Sequence, residues 1–176
     1  MTDVPLYGEP VIGYREWVLN GWALTPLVKG PIWQPGVNRA ACYLDQCFSL
    51  VDAPAAHPVP GSSCECGFYA HHEPSWRRSG TGPGETPISL GVTAPRSPGP
   101  KVAGAIAAWG DIRVHREGFR AEYAQIVALV RPARTPRWLE VAAKEVYAVP
   151  LVDDRDLEFE ALQYGSPLPA AVRPGE

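Results

Sequence analysis

Four cysteines and a histidine lie within a short stretch of the chain: Cys42, Cys47, His57, Cys64 and Cys66. Thiolate sulfur and imidazole nitrogen are the donors of tetrahedral zinc sites. In a chain whose first residues lack a basic region followed by an apolar one, such a cluster points to a metal before a disulfide. Cys64-Glu65-Cys66-Gly67 turns sharply enough to offer two thiolates to one ion, and an upstream cysteine and histidine can complete the shell. Four protein ligands leave no position open for water, so a site of this kind supports shape rather than reaction. The plain alternative is a set of buried free thiols with no metal.

Reactive arrangements are otherwise poorly represented. His71-His72-Glu73 spells His-x-Glu, but a zinc deaminase needs Pro-Cys-x-x-Cys after it, and here the cysteines come first. The metalloprotease pattern fails because Trp76 stands where its second histidine belongs. Cys47 with His115 or His72 could be read as a nucleophile and base, although a single cysteine is more often simply packed. The stretch from Gly80 to Gly84 lacks the Gly-Lys-Ser/Thr ending of a phosphate loop. A second polar group, His115, Arg116, Glu117 and Arg120, stands at an expected hairpin turn. It reads either as a solvated turn, with Arg120 paired to Glu117 or Glu122, or as a recognition surface built with Trp109, Arg113 and Tyr123.

The elements that must hold these residues are mostly strands. Residues 11–19 are rich in β-branched and aromatic types, and Asn20-Gly21 follows before Trp22-Ala23-Leu24-Thr25, the signature of a hairpin with a type I′ turn. Residues 74–100 read as a long loop anchored by Trp76, Ile88, Leu90 and Val92. From Lys101 the alternation returns. Residues 102–109, 112–115 and 119–123 read as a three-stranded antiparallel meander that continues through 126–130, with a bend at Gly110-Asp111, although the many alanines of 102–109 also permit a helix there. Thr135 and Pro136 can open a helix over about 136–147, in which Trp138, Leu139, Ala142, Ala143 and Val146 recur at helical spacing. A second helix runs from Asp153-Asp154 through Leu157, Ala161 and Leu162 to Tyr164, ended by Gly165, and the last ten residues are expected to fray.

Charge is unevenly spread. Residues 77–137 carry ten Lys/Arg against four Asp/Glu, while the flanking stretches carry three against seven and three against eight. Arg77, Arg78, Arg113, Arg116, Arg120, Arg131, Arg134 and Arg137 could form a basic face for nucleic acid or an acidic partner. A pI near 5.8 weighs against the nucleic-acid version. No run approaches the roughly 18 apolar residues of a membrane span, so the expectation is a cytoplasmic protein without membrane contact.

The residues Trp33-x-Pro35-Gly36, Ala40-x-Cys42, His57-x-x-Pro60, Cys64-x-Cys66-Gly67-Phe68-Tyr69-Ala70, Trp109-Gly110, His115 and Gly118-x-Arg120-Ala121 resemble the pattern of an uncharacterised family of small bacterial and phage proteins. The resemblance spans roughly residues 10–150, with Cys-x-Cys-Gly-aromatic-Tyr-Ala as its most specific part; Phe68 stands where isoleucine is more usual, and residues 79–100 look like an insertion. It implies Cys42, His57, Cys64 and Cys66 as the ligand set and leaves Cys47 outside, and it implies no reaction. A four-cysteine shell with Cys47 in place of His57 remains the alternative.

Together these readings predict an α+β, β-rich single domain: a hairpin and an antiparallel meander, a zinc-binding loop region and two C-terminal helices packed on one face. The zinc-stabilised part occupies residues 1–150, with a flexible insertion about 74–100, and a C-terminal helix and tail occupy 151–176. The expected function is a non-enzymatic binding or adaptor protein with structural zinc and a protein partner. A nucleic-acid-binding regulator using the basic 77–137 stretch comes second, and an enzyme with a site near His115 and Arg120 third.

Overall fold

The computed structural model describes residues 9–27, 32–42, 57–62, 64–78, 99–133 and 135–173. Cys47, Arg134 and the stretch from 79 to 98 lie outside them. Among the described residues eight strands form one mixed sheet: β1 (Val11–Asn20), β2 (Ala23–Pro26), β3 (Val37–Arg39), β4 (Phe68–His71), β5 (Lys101–Val114), β6 (Gly118–Val130), β7 (Leu151–Val152) and β8 (Ser166–Pro167). The α-helices among the described residues are α1 (Ser75–Arg78), α2 (Arg137–Val141) and α3 (Leu157–Ala161).

The sheet curls on itself. β5 pairs antiparallel with β1 on one edge and β6 on the other, while β4 pairs with β6 through Phe68↔Ala121 to His71↔Gly118 and touches β1 at Tyr14↔His71. The four strands thus close a ring, β1–β5–β6–β4–β1. Closure demands near contact across the ring, and Gly13 supplies it: a Cβ there would stand 2.6 Å from the Ala70 Cβ and 2.7 Å from the Phe119 ring. The ring encloses Trp17, Trp33, Phe68, Phe119, Ile106, Ile126 and Leu129. Trp33 meets Trp17 edge-on at 5.5 Å and Phe68 at 4.7 Å, so aromatic packing fills the middle.

Several expectations change in detail. The hairpin turn sits one residue later: Asn20 pairs with Ala23, leaving Gly21 and Trp22 as the central pair, and only Gly21 has positive φ (60°), as in a type II′ turn. The meander consists of two long strands rather than three. The bend at Gly110-Asp111 is a β-bulge inside β5, where two residues oppose Glu122 between the pairs Trp109↔Tyr123 and Ile112↔Ala121. Gly110 at φ 79° absorbs the extra residue without breaking the strand.

The C-terminal helices pack on opposite sides of the sheet. Leu139, Ala142 and Ala143 of α2 and its continuation join the inner cluster, whereas Leu157 and Ala161 of α3 join an outer cluster with Ile12, Ala103, Ala105, Ala107 and Trp76. Alternation along β5 makes both faces apolar, so each needs a cover. Thr135 does not cap α2; its Oγ1 donates to Pro132 O at 3.0 Å, and Pro136 is the capping residue. Past Val141 the helix widens into a π turn, Ala142–Val146, with Tyr147 N–H donating to Ala142 O at 2.9 Å. The Tyr147 hydroxyl then accepts Leu24 N–H at 2.8 Å and donates to Trp33 O at 3.0 Å, fastening the helix end to β2.

Residues 151–172 continue the same packing. β7 pairs parallel with β6 and β8 parallel with β1. The expected fraying of the last ten residues does not hold at their start, because Leu168 is 2% exposed in the inner cluster. Leu162 and Tyr164 are exposed rather than buried on the helix face. Trp76 is the observed anchor of the loop after β4: it is fully buried, and its Nε1 donates to Asp154 Oδ1 at 2.8 Å. Among the described residues no helix is long and apolar enough to cross a membrane.

Candidate metal centre

The donors come from two separate segments of the chain. Cys42 follows β3 by three residues, while His57, Cys64 and Cys66 belong to the loop that leads into β4. Pairing of both β3 and β4 with β6 brings these segments together: Arg39 faces Tyr123, and Phe68 faces Ala121 two positions along. One ligand atom from each of Cys42, His57, Cys64 and Cys66 lies within 4.8 Å of every other, so the group could hold a metal ion. Cys42 Sγ and Cys64 Sγ stand 3.5 Å apart, beyond the roughly 2.05 Å of a disulfide, and all three described cysteines are free.

Local bonds aim these donors. Cys66 N–H donates to Cys64 Sγ at 3.2 Å, and Gly61 N–H donates to Cys66 Sγ at 3.1 Å, so backbone amides fix the positions of both sulfurs. His57 Nδ1 lies 2.8 Å from Pro58 O; because a carbonyl only accepts, Nδ1 carries the proton and Nε2 is left as the donor to a metal. Gly61 lies under the imidazole, where a Cβ would come within 2.5 Å of His57 Cε1. Gly67 at φ 112° makes the turn out of the loop, and its missing side chain leaves room for Pro60 and Arg120.

Two arginines hold the loop from below. Arg113 and Arg120 are direct cross-strand partners, a like-charge arrangement that is unfavourable unless each cation is satisfied elsewhere. Arg113 Nε donates to Pro60 O at 2.7 Å. Arg120 Nη1 donates to the carbonyls of both Cys64 and Cys66, and its Nε donates to His115 Nε2 at 2.9 Å. Arg120 therefore takes the cysteine loop and His115 as partners instead of Glu117 or Glu122; Glu122 meets Arg39 at 3.3 Å. The bulge at Gly110-Asp111 sets this register, since it brings Arg113 opposite Arg120.

The Arg120 bond fixes the His115 proton on Nδ1. Burial first, then the Arg120 and Arg113 charges and neighbouring His72, pull the His115 pKa below the usual imidazole value. His72 Nε2 donates to His115 O at 3.0 Å, and burial lowers its pKa as well. The other expected surface residues, Trp109 and Tyr123, stack at 6.0 Å between ring centres with 11° between planes, and Arg39 lies over Tyr123 at 5.6 Å.

The sequence offered Cys42, His57, Cys64 and Cys66 as candidate ligands, and the structure brings these four together; the sequence did not offer their supports. Gly61, beneath His57, and the two arginines as carbonyl clamps became visible only with the strand register. Pro60-Gly61 was the available signal for the first; the like-charged pair had none. The basic stretch is likewise distributed over separate contacts: Arg77 pairs with Asp154 and Glu158 beside α3, and Arg131 donates to Leu151 O at 3.1 Å and lies 3.8 Å from Glu140. Comparison with family models, with curated proteins and with solved structures finds no match.

Proposed function

We propose that this chain is a non-enzymatic binding or adaptor protein whose cysteine loop is held by structural zinc. The observation that carries this is the convergence of three thiols and one imidazole within 4.8 Å. That donor set suits zinc, and it fills a tetrahedral shell without leaving a place for substrate or water. Three thiolates and a neutral imidazole around a divalent ion carry one net negative charge, which Arg113 and Arg120 offset through the loop they hold. The exposed Trp22 and the half-buried Trp109–Tyr123 stack with Arg39 supply the residue types that anchor partner proteins. The nucleic-acid reading ranks second, because Arg77, Arg113, Arg120 and Arg131 already serve intramolecular contacts.

Elemental analysis of reduced protein purified without added metal tests the centre. About one zinc per chain is expected, lost in His57→Ala and retained in Cys47→Ala. Folded, reduced protein without metal overturns the reading, and the reverse pattern in the two variants replaces His57 by Cys47. Partner class is tested by salt: binding to DNA or RNA that weakens steeply as salt rises would put the second reading first.

A further inference from the structure

The three described thiols are not equivalent, and their differences single out one pair. Cys66 is 9% exposed, and its Sγ is tied to Gly61 N–H at 3.1 Å. Cys64 is more exposed, and its Sγ accepts one backbone N–H at 3.2 Å. Among the described residues Cys42 Sγ accepts none; its contact is Cys64 Sγ at 3.5 Å. A disulfide between Cys64 and Cys66, one residue apart, would close a small strained ring. Cys42 and Cys64 are 22 positions apart in sequence and come from separate passes of the chain, and their sulfurs already stand 3.5 Å apart, so their disulfide closes no such small ring.

We propose that Cys42 and Cys64 are a peroxide-sensitive thiol pair whose oxidation to a disulfide releases the metal and unties the loop. The release step rests on the zinc reading above; the pairing of the two sulfurs does not. Cys42 reacts first: among the described residues its Sγ accepts no N–H, whereas Cys64 and Cys66 each accept one, and a thiolate less engaged by donors keeps more of its nucleophilicity. Its sulfur attacks one oxygen of hydrogen peroxide, the O–O bond breaks, and a sulfenic acid and hydroxide form. The Cys64 thiolate then attacks the Cys42 sulfur, forming the S–S bond and expelling a second hydroxide. Two protons from solvent convert both hydroxides to water, so two thiolates lose two electrons and one peroxide gains them. His57 and Cys66 alone cannot complete a tetrahedral shell, and zinc leaves as the divalent ion.

The test uses the full, reduced, zinc-loaded chain titrated with hydrogen peroxide. Zinc release is followed with a chromophoric chelator, and linkage is followed by mass mapping without reductant. Cleavage at Asp45, Asp52 and Glu65 places Cys42, Cys47, Cys64 and Cys66 in separate peptides. The expected result is a Cys42–Cys64 linked peptide rising in step with released zinc, reversed by dithiothreitol plus zinc, and unchanged in Cys47→Ser. A different linkage, or sulfinic acids without any crosslink, overturns the proposal. Zinc present with the pair left unlinked by peroxide refutes the thiol pair and leaves the zinc reading standing. A Cys42–Cys64 link formed in protein that never held zinc refutes the zinc reading and with it metal release, leaving the sulfur pairing alone.

Discussion

Every residue of β5 from Val102 to Ala108 is buried, whereas between His57 and Cys66 the buried residues among those described are Pro60, Gly61 and Cys66. The first region is held by apolar side chains on both faces and by ladders to β1 and β6. The second has almost no apolar surface to hide; its fixed points are sulfur, imidazole and carbonyl groups gripped by Arg113 and Arg120. Burial is non-directional and spreads its stabilisation over many contacts, so no single residue of β5 decides its conformation. A coordination shell is directional and concentrated, and losing one donor loses most of it. β6 runs through both regimes, with Ala124 to Val130 in the core and Gly118 to Ala121 against β4 and the loop.

The largest expected effect separates the two regions outright. On the proposed zinc reading, a strong chelator should abolish hydrogen-exchange protection in residues 57–71, because apparent binding of about 10–16 kcal/mol for such sites rivals the stability of a domain. Amides of β5 and the 124–130 half of β6 should stay protected for longer. Equal loss in both would show that ring closure by β4 depends on the metal, and an unchanged melting temperature after proven loss of zinc would remove its structural role.

A paired substitution sharpens the contrast at intermediate size. Gly13→Ala forces a Cβ to within 2.6 Å of Ala70 in the packed ring, and overpacking of this kind costs about 1–3 kcal/mol. It should lower the melting temperature and leave zinc affinity unchanged. Gly61→Ala pushes on the His57 ring instead and should weaken the proposed zinc binding about 10–100-fold, the range for supporting groups of a metal site, with a smaller effect on the sheet. Competition with a chelator of known affinity reads the second, thermal melting the first. If Gly13→Ala weakened zinc equally, the two regions would not be separable.

The smallest effect is a pH slope. The folded His115 pKa is depressed, chiefly by burial and then by Arg120 and Arg113, while in the unfolded chain it returns to about 6.5. Below that pH the unfolded state binds more protons than the folded one, so this contribution to stability is full above about pH 6.5 and is lost as pH falls toward the lower folded value. His115→Gln keeps an acceptor for Arg120 without a titrating group. Its stability, measured by denaturant unfolding between pH 7 and 5, should fall less steeply than that of the parent chain. Identical slopes would show that His115 contributes nothing to the pH dependence.

The sequence determined the strand-rich character, the hairpin and the candidate ligands, Cys47 among them, because alternation, turn residues and ligand types are local properties. Trp17 to Leu24 announces its own hairpin, and Cys64-Glu65-Cys66-Gly67 its own turn. Tertiary structure alone decided the rest. Curling of the sheet into a ring required Gly13 against Ala70, a contact between residues far apart in the chain. The placement of α2 and α3 on opposite faces was not local either: β5 is apolar on both faces, and its alternation does not say which element covers which face. The pairing of Arg113 with Arg120 depended on one extra residue at Gly110-Asp111, and a one-residue change of register moves every side chain of a strand to its other face. That displacement turned residues that read as an exposed basic surface into the clamp beneath the cysteine loop.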